Sequence, residues 1–333
     1  MTLDDFRNEW YNDDSRLPVH TSGSTGAPKL LWVEKSRMAA SARKTCAYLG
    51  LQPGDHALLC LPLDFIAGKM MAVRAFECGL NLIEVTSDGH PLRHEETDTS
   101  CPFSPPIALA AMIPMQVYNT LQVPQERQRL MNIRHLIIGG GAVDPLLEQA
   151  LRSFPNAVWS TYGMTETLSH IALRRLNGPD ADEWYTPLDR VEVSLNDEGC
   201  LVIDAPDVAE QTVVTNDLAT IADDGFRFRI LGRKDNVICS GGIKIQAEEV
   251  EKLLRPHLPH PFMITRRSDV RFGEIVVMLT ESDDLAETEA SCRKLLPKYW
   301  QPRQYFHIDT LPLTATGKPD RAKAAAWVKG EHR

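Results

Sequence analysis

The sequence predicts an α/β protein in which helices cover a parallel sheet over residues 1–234, followed by a small α+β unit over 236–333. Three observations predict it. From about residue 17 to 160, short apolar runs alternate with stretches of helical spacing, the rhythm of β-α-β units. After about 185 the runs become short and extended, separated by Asn-Asp-Glu-Gly, Asp-Ala-Pro-Asp and Asp-Asp-Gly turns, which reads as a small antiparallel unit. Near 235 the rhythm changes again, and the domain boundary is expected at 233–236.

In chain order, 30–33 reads as a strand and 36–49 as a helix with Ser36 near its start and Gly50 just past its end. Strand 56–61 precedes helix 67–78, which Gly79 closes. Residues 81–85 and 135–138 read as strands. Asp144 caps a helix over 144–154 with Pro145 at its first position, and 157–160 is a further strand. The antiparallel unit is expected from 191–195, 201–203, 212–215, 219–222 and 226–230. Beyond the boundary, 243–254 contains a helix, 274–280 a strand and 285–295 a helix, before a terminal loop.

Composition narrows the function. The 333 residues are 43% hydrophobic and 24% charged, with a formal net charge of −9. No basic tract is present, which argues against nucleic-acid partners. No apolar run approaches ~18 residues, so no membrane span is expected, and the polar start, Met1-Thr-Leu-Asp-Asp, is not a signal peptide. Seven scattered cysteines without a CxxC read as buried thiols of a reducing, cytoplasmic protein. His90 and His94 are four apart, but Pro91 and the lack of a third ligand argue against a metal site.

The most informative stretch is Thr21-Ser22-Gly23-Ser24-Thr25-Gly26-Ala27-Pro28-Lys29. Glycines let backbone N–H groups approach phosphate oxygens, hydroxyls add donors, and Lys29 adds a point charge. Its spacing does not fit G-x-x-x-x-G-K-[ST]. Alone, it also fits a solvated turn between two strands. Four later stretches join it. Tyr162-Gly163-Met164-Thr165-Glu166-Thr167 follows a strand and offers a carboxylate that can hold Mg²⁺. Asn216-Asp217 puts a carboxylate at a strand edge, fit for ribose hydroxyls or for finishing a turn. Arg233 and Asp235 are followed by Gly241 and Gly242, and Lys318 lies on a Gly-containing loop near the end.

In this order the five stretches resemble the adenylate-forming acyl-CoA synthetase family, over about 20–321. The resemblance implies that family's fold, with a large N-terminal domain, here N-terminally shortened, and a small mobile C-terminal domain. It implies an AMP-forming acid–CoA ligase using ATP, Mg²⁺ and coenzyme A. Thr21 to Lys29 would hold the ATP phosphates. The Gly-Gly-Gly-Ala segment ending in Gly140, Gly141 and Ala142 would lie against adenine, with Tyr162 and Gly163 beside it. Thr165 would hold the α-phosphate and Glu166 the metal. Asp217 and Arg233 would take the ribose, Asp235 would be the hinge, and Lys318 would bridge acyl carboxylate and α-phosphate. Gly241, Gly242 and Lys244 would line the CoA path.

Within the family, the compact length and Gly-Met-Thr-Glu-Thr-Leu-Ser-His-Ile-Ala look most like the short o-succinylbenzoate–CoA ligases of menaquinone synthesis. Such an acid is a dicarboxylate, so one carboxylate reacts and the other must be held. Lys69, Arg74, Ser169 and His170 are the candidates; for Lys69 and Arg74 the alternative is two solvated charges on an amphipathic helix. Other small aromatic or short-chain acids, a carrier protein in place of free CoA, and a degenerate nucleotide-binding relative are the competing readings. Two departures from the family pattern bear on the pocket: Asn216 stands where glycine is usual, and Asp64-Phe65 where an aromatic and a histidine are common. An exposed apolar edge at the shortened N-terminus would favour a homodimer.

Overall fold

The computed structural model describes residues 1–20, 30–94, 103, 105–314 and 319–330. Among them, a seven-stranded sheet has the order Asn81–Glu84, His56–Leu59, Ile107–Met112, His135–Ile138, Ala157–Gly163, His170–Arg175, Thr186–Pro187. The first five strands are parallel and the last two are added antiparallel.

Side chains alternate across this sheet, and both faces are covered, as a parallel sheet requires. Ala57, Leu59, Leu109, Ala111 and Ile137 point to a core with Met38 and Ala42 of helix Lys35–Tyr48 and Met70 and Val73 of helix Ile66–Cys78. Leu58, Ala110, Met112, Leu136 and Ile138 point the other way. They meet Val117, Leu130, Leu147 and Leu151 from helices Pro114–Gln122, Pro124–Met131 and Pro145–Leu151. Asp144 caps the last of these, its side chain accepting from the Leu146 amide at 2.9 Å. Gly79 ends helix Ile66–Cys78 in the left-handed region at φ 67°.

A four-stranded antiparallel meander follows: Glu192–Leu195, Cys200–Asp204, Val213–Ile221 and Phe228–Arg233. The two runs expected at 212–215 and 219–222 are one strand, because the Asn216-Asp217 pair continues the ladder and a bulge at Leu218/Ala219 takes up the irregularity. Leu201, Ile203 and Phe228 join the first core.

The remaining chain builds its own sheet and cores. Strands Ile243–Gln246, Val237–Ser240, Gly273–Thr280 and Phe262–Asp269 lie in that order, and Gln304–His307 pairs parallel with Gly273–Thr280. Phe262, Ile264, Val276 and Met278 meet Val250 and Leu254 of helix Ala247–Leu254. Met263, Ile275, Val277 and Leu279 meet Ala324 and Val328 of helix Arg321–Val328 on the opposite face. The terminal loop expected after 295 therefore contains a strand and a helix. No helix among the described residues is long and apolar enough to cross a membrane.

Candidate active site

Two adjacent parallel strands, His135–Ile138 and Ala157–Gly163, end at the same edge of the large sheet. That edge, outside the carboxyl ends of the strands, is where open α/β sheets bind ligands. The first strand runs into Gly140, Gly141 and Ala142, the second into Tyr162–Thr167. Gly163 has a packing reason to be glycine: a Cβ there would sit 2.3 Å from the Ser169 carbonyl oxygen and 2.5 Å from the His170 Cα. Thr165 and Glu166 lie on a short 3-10 turn, Thr165–Thr167, held by the Met164 amide donating to Thr167 Oγ1 at 3.1 Å. Buried Leu168 follows at φ 64°, a strained setting for a non-glycine residue next to the motif. Glu166 is exposed and joins no ion pair or hydrogen bond among the described residues, which suits Mg²⁺ bound by one carboxylate together with phosphate oxygens.

The structure brings Tyr162, Asp217, Arg233 and Asp235 into one cluster. Asp217 and Arg233 are register partners on neighbouring antiparallel strands. The Tyr162 hydroxyl donates to Asp217 Oδ2 at 2.7 Å, and Arg233 Nη1 donates to Oδ1 at 3.3 Å. Arg233 Nη2 also donates to Asp235 Oδ2 at 3.0 Å, and Asn216 Nδ2 reaches the same oxygen at 3.4 Å. Burial, with the Asp217 charge second, pushes the Tyr162 phenol well above its usual range, so it stays a donor. The result is an acidic edge beside an aromatic ring, in reach of the two strand ends.

The acyl candidates divide. Arg74, Ser169 and His170 meet: Arg74 Nη2 donates to Ser169 Oγ at 2.8 Å, Ser169 Oγ lies 3.5 Å from His170 Nδ1, and His170 Nε2 lies 2.9 Å from Thr45 Oγ1. Arg74 is 2% exposed, is in no ion pair with a carboxylate among the described residues, and its Nε has no hydrogen-bond partner there. Burial lowers the guanidinium to about 10 and, with Arg74 second, holds His170 well below its usual value, so His170 is neutral at pH 7. Lys69 is placed elsewhere. It is equally buried, over the Phe6 ring at 4.8 Å and 3.4 Å from Glu9 Oε2. Neither residue is a solvated charge. The partners that define these two environments, Glu9 on helix Leu3–Tyr11 and Thr45, carry no motif, and nothing in the sequence singles them out.

Gly241 and Gly242 form the two-residue connection of a hairpin, with Ser240 and Ile243 paired across it. Both have positive φ, 58° and 85°, as such a turn demands. No described residue lies within 4 Å of where a Cβ on Gly242 would stand, and Lys244 is exposed on the outgoing strand. Residues 21–29, the expected phosphate loop, lie outside the described residues; they connect strands Arg16–His20 and Leu30–Glu34, whose His20 and Leu30 are register partners. Lys318 also lies outside the described residues. Among the described residues, no three metal-ligating side chains cluster.

The chain is similar to known proteins over most of its length. The AMP-binding enzyme family matches residues 7–208. A 2-succinylbenzoate–CoA ligase of Bacillus velezensis is 28% identical over 96% of this chain and 70% of its own length. An acyl-CoA synthetase (AMP-forming)/AMP-acid ligase II-like protein from Dyadobacter fermentans is 32% identical, with TM-score 0.64, over 96% of this chain and 91% of that one. The o-succinylbenzoate CoA synthetase of Bacillus subtilis, solved with its acyl-adenylate intermediate, has the same fold at TM-score 0.75 and 23% identity, over 92% of this chain and 68% of that one.

Proposed function

We propose, since the chain belongs to the AMP-binding enzyme family, that it is an ATP-dependent acid–CoA ligase whose acid is o-succinylbenzoate. The observation that carries the choice of acid is Arg74, a fully buried guanidinium with no carboxylate of its own among the described residues, facing Ser169 beside the Tyr162–Thr167 motif. A buried cation is costly unless paired, and the second carboxylate of a dicarboxylic acid supplies the pair. The 2-succinylbenzoate–CoA ligases among the relatives support the same acid.

In the first half-reaction the acid's free carboxylate attacks the α-phosphorus of ATP and pyrophosphate leaves. Asp217 accepts from the ribose hydroxyls, oriented by Tyr162 and Arg233. Thr21 to Lys29 and Thr165 hold phosphate oxygens, and Lys318 stabilises the negative charge as it develops. Glu166 holds Mg²⁺, whose chemistry is to neutralise charge on the transferring and departing phosphates. In the second half, the unit from 236 to 333 turns about Asp235, withdrawing Lys318 and presenting Gly241, Gly242 and Lys244. The thiol of CoA then passes the open side of Gly242 and attacks the mixed anhydride, releasing AMP.

This reading places the enzyme in the cytoplasm, with ATP, CoA and the acid as partners. A homodimer belongs to it as well. Leu30 and Trp32, 52% and 58% exposed at alternate positions of one strand, offer an apolar edge, and light scattering at micromolar concentration tests that part. The reading itself is tested by pyrophosphate release with ATP and Mg²⁺, comparing o-succinylbenzoate, benzoate and a medium-chain fatty acid. Release selective for o-succinylbenzoate supports it. Release with another acid alone keeps the ligase and discards the proposed substrate.

A further inference from the structure

We propose that Thr45 and His170 are positioning residues for acid specificity: a one-way hydrogen-bond relay, Arg74 to Ser169 to His170 to Thr45, fixes the histidine tautomer and makes Ser169 an acceptor for the guanidinium. The specificity role rests on the dicarboxylic acid proposed above, whereas the direction of the relay does not. The direction is set at the far end. Thr45 Oγ1 donates to the Ser41 carbonyl oxygen at 3.2 Å, one turn back on helix Lys35–Tyr48. A threonine hydroxyl has one proton, so toward His170 Nε2, 2.9 Å away, Thr45 accepts. The ring proton is therefore on Nε2. The ring is neutral, held so by burial first and by Arg74 second, which leaves Nδ1 bare. Ser169 Oγ, 3.5 Å from Nδ1, donates to it and accepts from Arg74 Nη2 at 2.8 Å.

Electrostatics favour this direction over its reverse. In the relay every lone pair faces the cation and every donated proton points away from it, so each bond polarises the next. In the reverse arrangement Nδ1 would carry its proton toward Ser169 and the buried guanidinium. The Ser169 hydroxyl, whose bonds among the described residues are to Arg74 and the ring, would then have no acceptor there. Ser41, Thr45, Arg74 and His170 are all buried, so these dipoles act with little screening by water. The relay thus gives the guanidinium a polarised neutral partner in the free enzyme, where no carboxylate among the described residues pairs with it. Arg74 Nε has no hydrogen-bond partner among the described residues, and it is the donor left for the second carboxylate of the acid. His170 acts on the acid through Ser169 and Arg74. Thr45, outside every motif, sets the ring that does so.

The test is the tautomer of His170, read at pH 7 from the ring-nitrogen shifts of the full chain labelled with ¹⁵N-histidine; the signals lost in His170→Gln identify it. The expected result is a bare Nδ1 and a protonated Nε2. In Thr45→Val, Nε2 loses its acceptor and the proton should move toward Nδ1. The KM for o-succinylbenzoate should then rise about 3- to 10-fold, the size of one neutral hydrogen bond, while the KM for ATP stays unchanged. Thr45→Ser, which keeps the hydroxyl, should restore both the tautomer and the KM. A wild-type ring protonated on Nδ1, or on both nitrogens, would overturn the proposal. So would an equal rise in both KM values in Thr45→Val, which would mark Thr45 as merely structural. The tautomer is read without any acid, so failure to convert o-succinylbenzoate discards the acid, and a reversed ring discards the relay. If Thr45→Val does not fold, the wild-type ring decides the matter.

Discussion

Replacing Arg74 with methionine should move stability and specificity in opposite directions. Burial takes the guanidinium from 12.5 to about 10, roughly 3 kcal/mol of cost to the charged form in the folded state. Methionine removes that cost but gives up the Nη1 contact to Met71 Sδ at 3.7 Å. It also loses the 2.8 Å bond to Ser169, a charge-assisted bond of about 1.5–3 kcal/mol. The two nearly cancel, so R74M should have an unchanged or slightly raised thermal midpoint. Its effect on the reaction has no such offset. The distal carboxylate loses a charged partner worth about 1.5–3 kcal/mol, so kcat/KM for o-succinylbenzoate should fall about 10- to 150-fold. Benzoate, with no second carboxylate, should be converted at its wild-type rate. The assay is pyrophosphate release at subsaturating acid, alongside a thermal melt. A clear drop in the midpoint with equal losses on both acids would refute the reasoning and make Arg74 a structural residue.

Four further predictions concern other parts of the site. Lys318→Ala should abolish adenylation yet leave thioester formation from a supplied acyl-adenylate largely intact; equal loss of both halves would remove the role given to Lys318. Gly242→Leu should slow thioester formation most, and Gly242→Ala, which carries the same strain at φ 85° with little bulk, should slow it far less; equal effects would point to hairpin strain rather than a blocked path. Asp217→Asn should raise the KM for ATP by about 10-fold or more through loss of a charged acceptor, with the KM for the acid unchanged. His135 is held down to about 4, by burial first and by Arg134 next. It is therefore neutral when folded and protonates on unfolding below about pH 6.5, so its contribution to stability is lost as pH falls from 6.5 to 4. Denaturant titrations at pH 7.5 and 5 should show a smaller loss for His135→Gln than for wild type.

How much of this was legible in the sequence varied with how local the signal was. Helix Leu285–Leu295 and strand His135–Ile138 follow from their own residues and match the expected bounds. Asp144 and Pro145 announce a helix start through cap chemistry alone. Strand Ile107–Met112 gave no such signal: all six residues are buried, so there is no alternation to detect. Asn216-Asp217 reads as a strand edge, fit for ribose hydroxyls or for finishing a turn, yet sits within a strand, because neighbouring strands on both sides override a local preference. Asp217 and Arg233 could be named from motifs, whereas their direct opposition depends on register. Lys69 and Arg74 are five apart on one helix and look equivalent in sequence. Only the tertiary fold gives one a Glu9 partner and leaves the other facing Ser169 with no carboxylate among the described residues.

The central claim is ligation of o-succinylbenzoate to CoA through an adenylate. It is tested most directly by mass spectrometry of the products from ATP, Mg²⁺, CoA and o-succinylbenzoate. The account predicts one o-succinylbenzoyl-CoA for each AMP formed. ADP with inorganic phosphate, or AMP without the thioester, would contradict it.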